Sequence, residues 1–194
     1  MKRGHFMKTN TTKLTFTAMG IVINIVFGAV VTSLKIPLLF LDTVGTIFTA
    51  VTLGPVYGMI AGGLTNILQG VVTNPKSIPF ALVNIAVGLI VGLIAKKYKF
   101  SLKTAIITGL ILSIVAPLIG TPIAVGVFGG ITGDGNDILF MWLKQSGQSI
   151  FSAAFIPRIT GNIVDKIASC ILVSLLVSRL PKSLIQKFDN KKIA

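Results

Sequence analysis

The chain has 194 residues, 53% of them hydrophobic and 12% charged, about half the charged share of a soluble domain. Eighteen Lys and Arg oppose five acidic residues, all aspartate, for a net charge of +13. A nucleic-acid binder of that charge would gather its bases on one face of a soluble fold. Here they lie at the ends of apolar runs of about 18 residues or more, the length of a membrane span. Disorder, a disulfide scaffold and a soluble enzyme are excluded. The composition is that of an all-α, polytopic membrane protein.

Residues 1–13 form a basic segment with Lys2, Arg3, Lys8 and Lys13. The apolar run that follows, over 14–34, exceeds the roughly 7–15 residues of a signal-peptide core and reads as a retained helix. A second span covers 37–53, opened by Pro37 and closed by Gly54-Pro55. The third covers 56–73, the fourth 79–96, and the fifth 101–128 with interruptions at Pro117, Gly120 and Pro122. The sixth covers 147–179, closing a transmembrane domain over 14–180, and a basic tail fills 181–194. With both termini cytoplasmic, one side of the membrane receives 13 of the 18 basic residues. The other receives Lys35, Lys76 and Lys144, while Arg158 and Lys166 fall inside the sixth span. That bias is a positive-inside signal, so the net charge reflects topology and contact with anionic lipid.

The connections on the side poor in lysine carry the unusual chemistry. Residues 74–78 are polar, and 129–148 combine glycines with Asp134, Asp137, Trp142, Lys144, Gln145 and Gln148. Loops beyond about 12–15 residues are usually functional or disordered, and an outward-facing binding surface is expected here. In the sixth span Arg158, Asn162 and Asp165 are spaced i, i+4, i+7 and share a helix face. Ionisable groups at membrane depth mark function by default; the bland alternative is an internal ion pair that only holds helices together. Gln69, Asn74 and Gln148 lie near the same surface as possible ligand amides. Asn66 and Asn84 suit interhelical hydrogen bonding, and Asn84 is also a binding candidate. Trp142 either stacks on a flat ligand or anchors the chain at the interface. Small residues recur at Gly20, Asn24, Gly28 and Thr32, and at Gly58 and Gly62. Such stripes permit close helix approach, either to a partner protein or within the bundle.

Cys170, the single cysteine, falls in the last apolar run and reads as buried and inert. One histidine, His5, leaves no room for a His-based metal site or a Ser-His dyad, and no metal or cofactor is expected. Gly133-Asp134 lacks the preceding glycine of intramembrane aspartic proteases, since Ile131 stands there. Asp134-Gly135-Asn136 begins like a calcium loop, but Ile138 occupies the third ligand position and no glutamate follows. No Walker motif is present, so ATP hydrolysis has to come from another subunit.

A short second span, the turn Leu53-Gly54-Pro55-Val56-Tyr57-Gly58, the following Gly62-Gly63-Leu64-Thr65-Asn66, and a sixth span bearing Arg158, Asn162 and Asp165 before a basic end together form a pattern. Over roughly 13–182 the chain resembles the substrate-binding S components of energy-coupling factor (ECF) vitamin transporters. The resemblance implies a six-helix bundle in a bacterial plasma membrane that captures a water-soluble vitamin or precursor from outside. It then docks on a transmembrane coupling protein bound to two ATPases, and is not itself an enzyme. Members carry an Ala-x-x-x-Ala docking motif in the first helix. Here Ala18 is followed by Val22, and the stripe Gly20, Asn24, Gly28 is the substitute expected. The implied pocket is built by the 1–2, 3–4 and 5–6 connections and the last three helices.

Uncharged amides with one arginine and one tryptophan suit a small heteroaromatic such as pyridoxine or a hydroxymethylpyrimidine. A carboxylate such as that of pantothenate would instead pair with Arg158. The competing function is a self-contained secondary transporter or channel for a small polar solute. That would favour inverted repeats, which 14–96 and 101–179 do not display.

Overall fold

The computed structural model describes residues 3–34, 38–133 and 135–181, and these contain helices but no strand. Lys2, Lys35, Pro37, Asp134 and the basic tail beyond Pro181 lie outside them. Seven α-helices follow in order: α1 Arg3–Leu34, α2 Val44–Leu53, α3 Pro55–Val72, α4 Ala81–Lys97, α5 Leu102–Phe128, α6 Asp137–Gln145 and α7 Ile150–Ser178. A short 3₁₀ helix, Pro75–Phe80, leads into α4. Among the described residues four stretches are long and apolar enough to cross a membrane: Thr11–Leu34, Pro75–Lys97, Leu102–Phe128 and Ile150–Ser178.

Three expected elements differ. The second span was expected from Pro37, but α2 begins at Val44 and has ten residues, about 15 Å at the helical rise. Residues 38–43 are irregular instead, with Leu38 and Leu41 at positive φ (61° and 52°). The connection expected over 129–148 contains α6. The fifth span is not interrupted: α5 runs through Pro117 and Pro122 as one helix, since neighbouring helices can compensate for the backbone bonds proline removes.

Every residue of α2 is buried, so this short helix is the centre of the bundle. Val44, Ile47 and Val51 join Val87 and Val91 of α4, Leu112 of α5, and Cys170 and Val173 of α7 in one apolar cluster. Its threonines satisfy themselves, Thr49 and Thr52 donating to the carbonyls of Gly45 and Phe48 one turn back. The chain then reverses at Gly54, whose φ of 91° suits a residue without a Cβ. Pro55 starts α3 where its missing N–H costs nothing.

α1 and α2 meet backbone to backbone. A Cβ on Gly45 would overlap the Gly20 carbonyl, and one on Gly20 would strike Thr49. Beside this contact Asn24, fully buried, does the work that the residue before α2 does not, because Thr43 makes no side-chain cap. Its Oδ1 accepts from the N–H groups of Gly45 (2.6 Å) and Thr46 (3.2 Å). Its Nδ2 donates to Thr46 Oγ1 (2.8 Å) and Thr65 Oγ1 (2.9 Å). The orphan donors of the α2 N-terminus are thus satisfied from another helix. The expected docking stripe is therefore corrected: Gly20, Asn24 and Gly28 are buried and face α2, α3 and residue 42. Ala18, by contrast, is exposed. Gly58 and Gly62 likewise serve packing, set against Gly88 and Asn84 of α4.

Replacing Asn24 with alanine should leave two buried N–H groups and two hydroxyls without their partner, each loss costing about 1–3 kcal/mol. Thermal unfolding in detergent should show a large fall in midpoint for Asn24→Ala. A shift no larger than that of Ala29→Gly on the exposed side of α1 would refute the capping role.

Candidate binding site

The bundle has two ends. One carries the α2–α3 and α4–α5 turns; the other carries the connections after α1, α3 and α5, and there the buried charge collects. α7 supplies the floor. Asp165 is fully buried, and its Oδ1 accepts from the backbone N–H groups of Phe40 (2.9 Å) and Leu41 (2.8 Å). Its Oδ2 accepts from Lys166 Nζ at 2.7 Å. Lys166 Nζ also donates to Thr43 Oγ1 at 3.1 Å and lies 3.7 Å from Asp42 Oδ1. A carboxylate and an ammonium taken from water require both pairing and hydrogen bonds, and here the pairing partner for the backbone is the 38–43 segment. A left-handed leucine costs roughly 1–2 kcal/mol; the N–H bonds from Phe40 and Leu41 to Asp165 hold the chain where Leu41 takes that shape.

Two turns nearer the end of the bundle, Arg158 is buried beneath the connection after α5. Its Nη1 donates to Ala154 O (2.9 Å), and its Nη2 to Thr132 Oγ1 (3.0 Å) and Gly130 O (3.5 Å). The same connection is braced from α6, where the Asp137 carboxylate accepts from Thr132 N (3.0 Å) and Gly133 N (2.6 Å). Lys76, from the 3₁₀ helix, reaches Ile131 O at 3.3 Å and lies over the Phe128 ring. Between Arg158 and Asp165, Gly161 brings α7 against both connections. A Cβ there would sit 3.4 Å from the Phe40 ring and 3.6 Å from Asn136 Oδ1. Across the site, a Cβ on Gly28 would sit 3.4 Å from Asp42 Cβ and 3.7 Å from the Gln69 amide nitrogen.

The candidates read from sequence divide accordingly. Arg158, Asn162 and Asp165 share α7, but not as one ion pair: Asp165 pairs with Lys166, and Asn162 donates to the Arg158 carbonyl. Gln69 is half-buried at the far wall. Asn74 is exposed and caps Lys76 N. Asn84 donates to Asn66, which donates to Ser77 O, tying α3, α4 and the 3₁₀ helix together. Gln145 and Gln148 are exposed, and Asp134 lies outside the described residues. Asp42, Lys166, Phe40 and Thr132 belong to the arrangement and were not among the candidates. The signal was available for two of them: Asp42 is one of five acids in the chain and interrupts an apolar run, and Lys166 stands beside Asp165.

Trp142 is 63% exposed and shares the outward side of α6 with Ile138 and Met141, while Phe140 and Leu143 pack inward on Ala153, Ala154 and Val125. Because α6 joins two helices of spanning length, this side is expected at the membrane boundary, where tryptophan is favoured. Trp142 is the only tryptophan, so its emission reports α6 alone. In bilayers it should be quenched more by phospholipids brominated near the glycerol backbone than by aqueous iodide. The reverse order would remove α6 from the interface.

Among the described residues no three His, Cys, Asp or Glu side chains converge as a metal site. The geometry instead offers a mixed set of donors and acceptors, closed by two connections. No curated protein and no solved structure gives a match to this chain. The family described as "ECF transporter, substrate-specific component" matches residues 12–177, most of the chain and all seven helices but the start of α1 and the last residue of α7. The protein is a multi-pass membrane protein of the ECF transporter substrate-specific component family.

Proposed function

We propose that this substrate-binding subunit captures a water-soluble vitamin or vitamin precursor from outside a bacterial plasma membrane. In this reading both termini are cytoplasmic, α2 and α3 complete a six-span topology, and the end bearing residues 38–43, 75–80 and 129–136 faces outward. The observation that carries it is the Asp165–Lys166 pair, which fastens the 38–43 segment onto α7 beside a half-buried Gln69. An isolated ion pair inside an apolar helix is costly; here it shapes a polar recess at one end of the bundle. The positive-inside distribution of lysine and arginine supports the orientation.

The ligand is a small nitrogen heteroaromatic of the pyridoxine or hydroxymethylpyrimidine kind. Arg158, the partner a pantothenate carboxylate would need, already donates to Thr132 and two carbonyls, so the rival ligand would have to displace them. Gln69, Asn162 and the α7 charges are the residues nearest the proposed site. Energy comes from a coupling protein with two ATPases, since the chain has no ATP-binding motif. The docking face is the exposed side of α1, where Thr15, Ala18, Met19, Val22 and Ile23 line an apolar groove of about 330 Å³. Ala18 is the smallest side chain there and sets how closely a partner helix can approach.

In proteoliposomes the protein alone should bind but not accumulate vitamin, and ATP-dependent uptake should appear on adding the coupling module. Concentrative uptake by the lone chain would favour the self-contained transporter. Ala18→Trp should weaken co-purification with the module by about tenfold or more, equivalent to 1.4 kcal/mol, and leave vitamin binding in place. Loss of vitamin binding as well would move the docking face elsewhere.

A further inference from the structure

The ion cluster at the floor of the site is unbalanced. Among the described residues two carboxylates, Asp42 and Asp165, share one ammonium, Lys166, an excess of one carboxylate. The nearest further cation along α7, Arg158, is seven residues away, about 10 Å at the helical rise. The two carboxylates are also used differently. Asp165 is fully buried and spends both oxygens, on two backbone N–H groups and on Lys166. The Asp42 side chain is 41% exposed, and its Oδ1, though itself covered, accepts no hydrogen bond; the Lys166 nitrogen stays 3.7 Å away. The fold therefore rests mainly on Asp165, whereas Asp42 is a partly exposed carboxylate held only by the longer ion pair to Lys166. Around it stand Gly28, where a side chain would touch both Asp42 and the Gln69 amide, and, towards α7, the Phe40 ring beside Gly161.

We infer that Asp42 is the specificity-determining residue of the site. Its carboxylate accepts an N–H or O–H from a neutral or protonated nitrogen heterocycle, and the surplus negative charge excludes ligands that carry a carboxylate. This deepens the function proposed above and rests on it. A charge-assisted hydrogen bond is roughly twice as strong as a neutral one. A carboxylate ligand in the same place would set like charges a few ångströms apart, where they repel. Two of the three Lys166 hydrogens are already directed to Asp165 and Thr43, and Asp42 competes with any ligand for the third.

The test is calorimetric titration of the full chain in nanodiscs with three probes: 4-amino-5-hydroxymethyl-2-methylpyrimidine, pyridoxine and pantothenate. The wild-type protein should bind at least one of the two heterocycles, and bind it at least about 100-fold more tightly than pantothenate, a difference of about 2.7 kcal/mol. Asp42→Asn should lower heterocycle affinity about tenfold or more and reduce the discrimination against pantothenate. Asp42→Glu keeps the charge, and should keep the preference even with weaker binding; it also covers the case in which the asparagine variant does not fold. Tightest binding by pantothenate, or unchanged heterocycle affinity in Asp42→Asn, overturns the inference. So does binding of neither heterocycle by a chain that still supports module-dependent uptake of some other vitamin, an outcome that leaves the transport function intact. Failure to assemble with a coupling module at all would overturn the function itself.

Discussion

A single carboxylate, Asp165, decides the shape of the end of the bundle where ligand is proposed to enter. Inside an apolar helix its charge is tolerable only with close partners, and the chain provides three, two of them backbone N–H groups from a segment 124 and 125 residues earlier in sequence. This reciprocity is the constraint on which the rest depends. The carboxylate needs donors, while the irregular residues 38–43 need acceptors for N–H groups that no helix satisfies. Irregular backbone at membrane depth is permitted where protein covers it, and α7 supplies that cover. Lys166 then balances Asp165, and Thr43 receives a second hydrogen of the ammonium.

A second hub, Asn24, solves the same difficulty at the start of α2. Both devices use one polar side chain of a long helix to satisfy the backbone of a short or irregular element. Both make that element dependent on its neighbour for stability. Packing between the hubs is achieved with small residues, so that α1, α2, α3 and α4 approach through Gly20, Gly45, Gly58 and Gly88. In a bilayer, where lipid is as apolar as leucine, such close contact and buried hydrogen bonds are what associate helices.

Composition alone places the chain in the membrane, and apolar run length locates α3, α4, α5 and α7 to within a few residues. The 37–43 segment defeats the same method, because Pro-Leu-Leu-Phe-Leu is as apolar as any helix. What breaks the helix is a tertiary bond to Asp165, invisible to a local window. α6 is missed for the opposite reason: glycines and polar residues surround a nine-residue amphipathic helix too short to announce itself. Charge within the last span drew attention to α7, where the structure buries Arg158, Asp165 and Lys166, but same-face spacing suggested that Arg158 and Asp165 act together. In fact Asp165 takes its sequence neighbour Lys166, and Arg158 turns to the opposite connection. The glycine stripe of α1 was legible as close packing, whereas its direction was not, because both faces of α1 are rich in small or apolar residues and only the partner elements distinguish them.

The meeting of Gly20 with Gly45 has a mechanical consequence. Side chains that interdigitate can change rotamer and let two helices slide, but here the carbonyl of one backbone lies against the Cα of the other, with Asn24 pinned beside it. α1 and α2 therefore move as one lever. A partner that tilts α1 from its exposed side carries α2 with it, and with α2 the end of the 38–43 segment that Asp165 holds from the opposite helix.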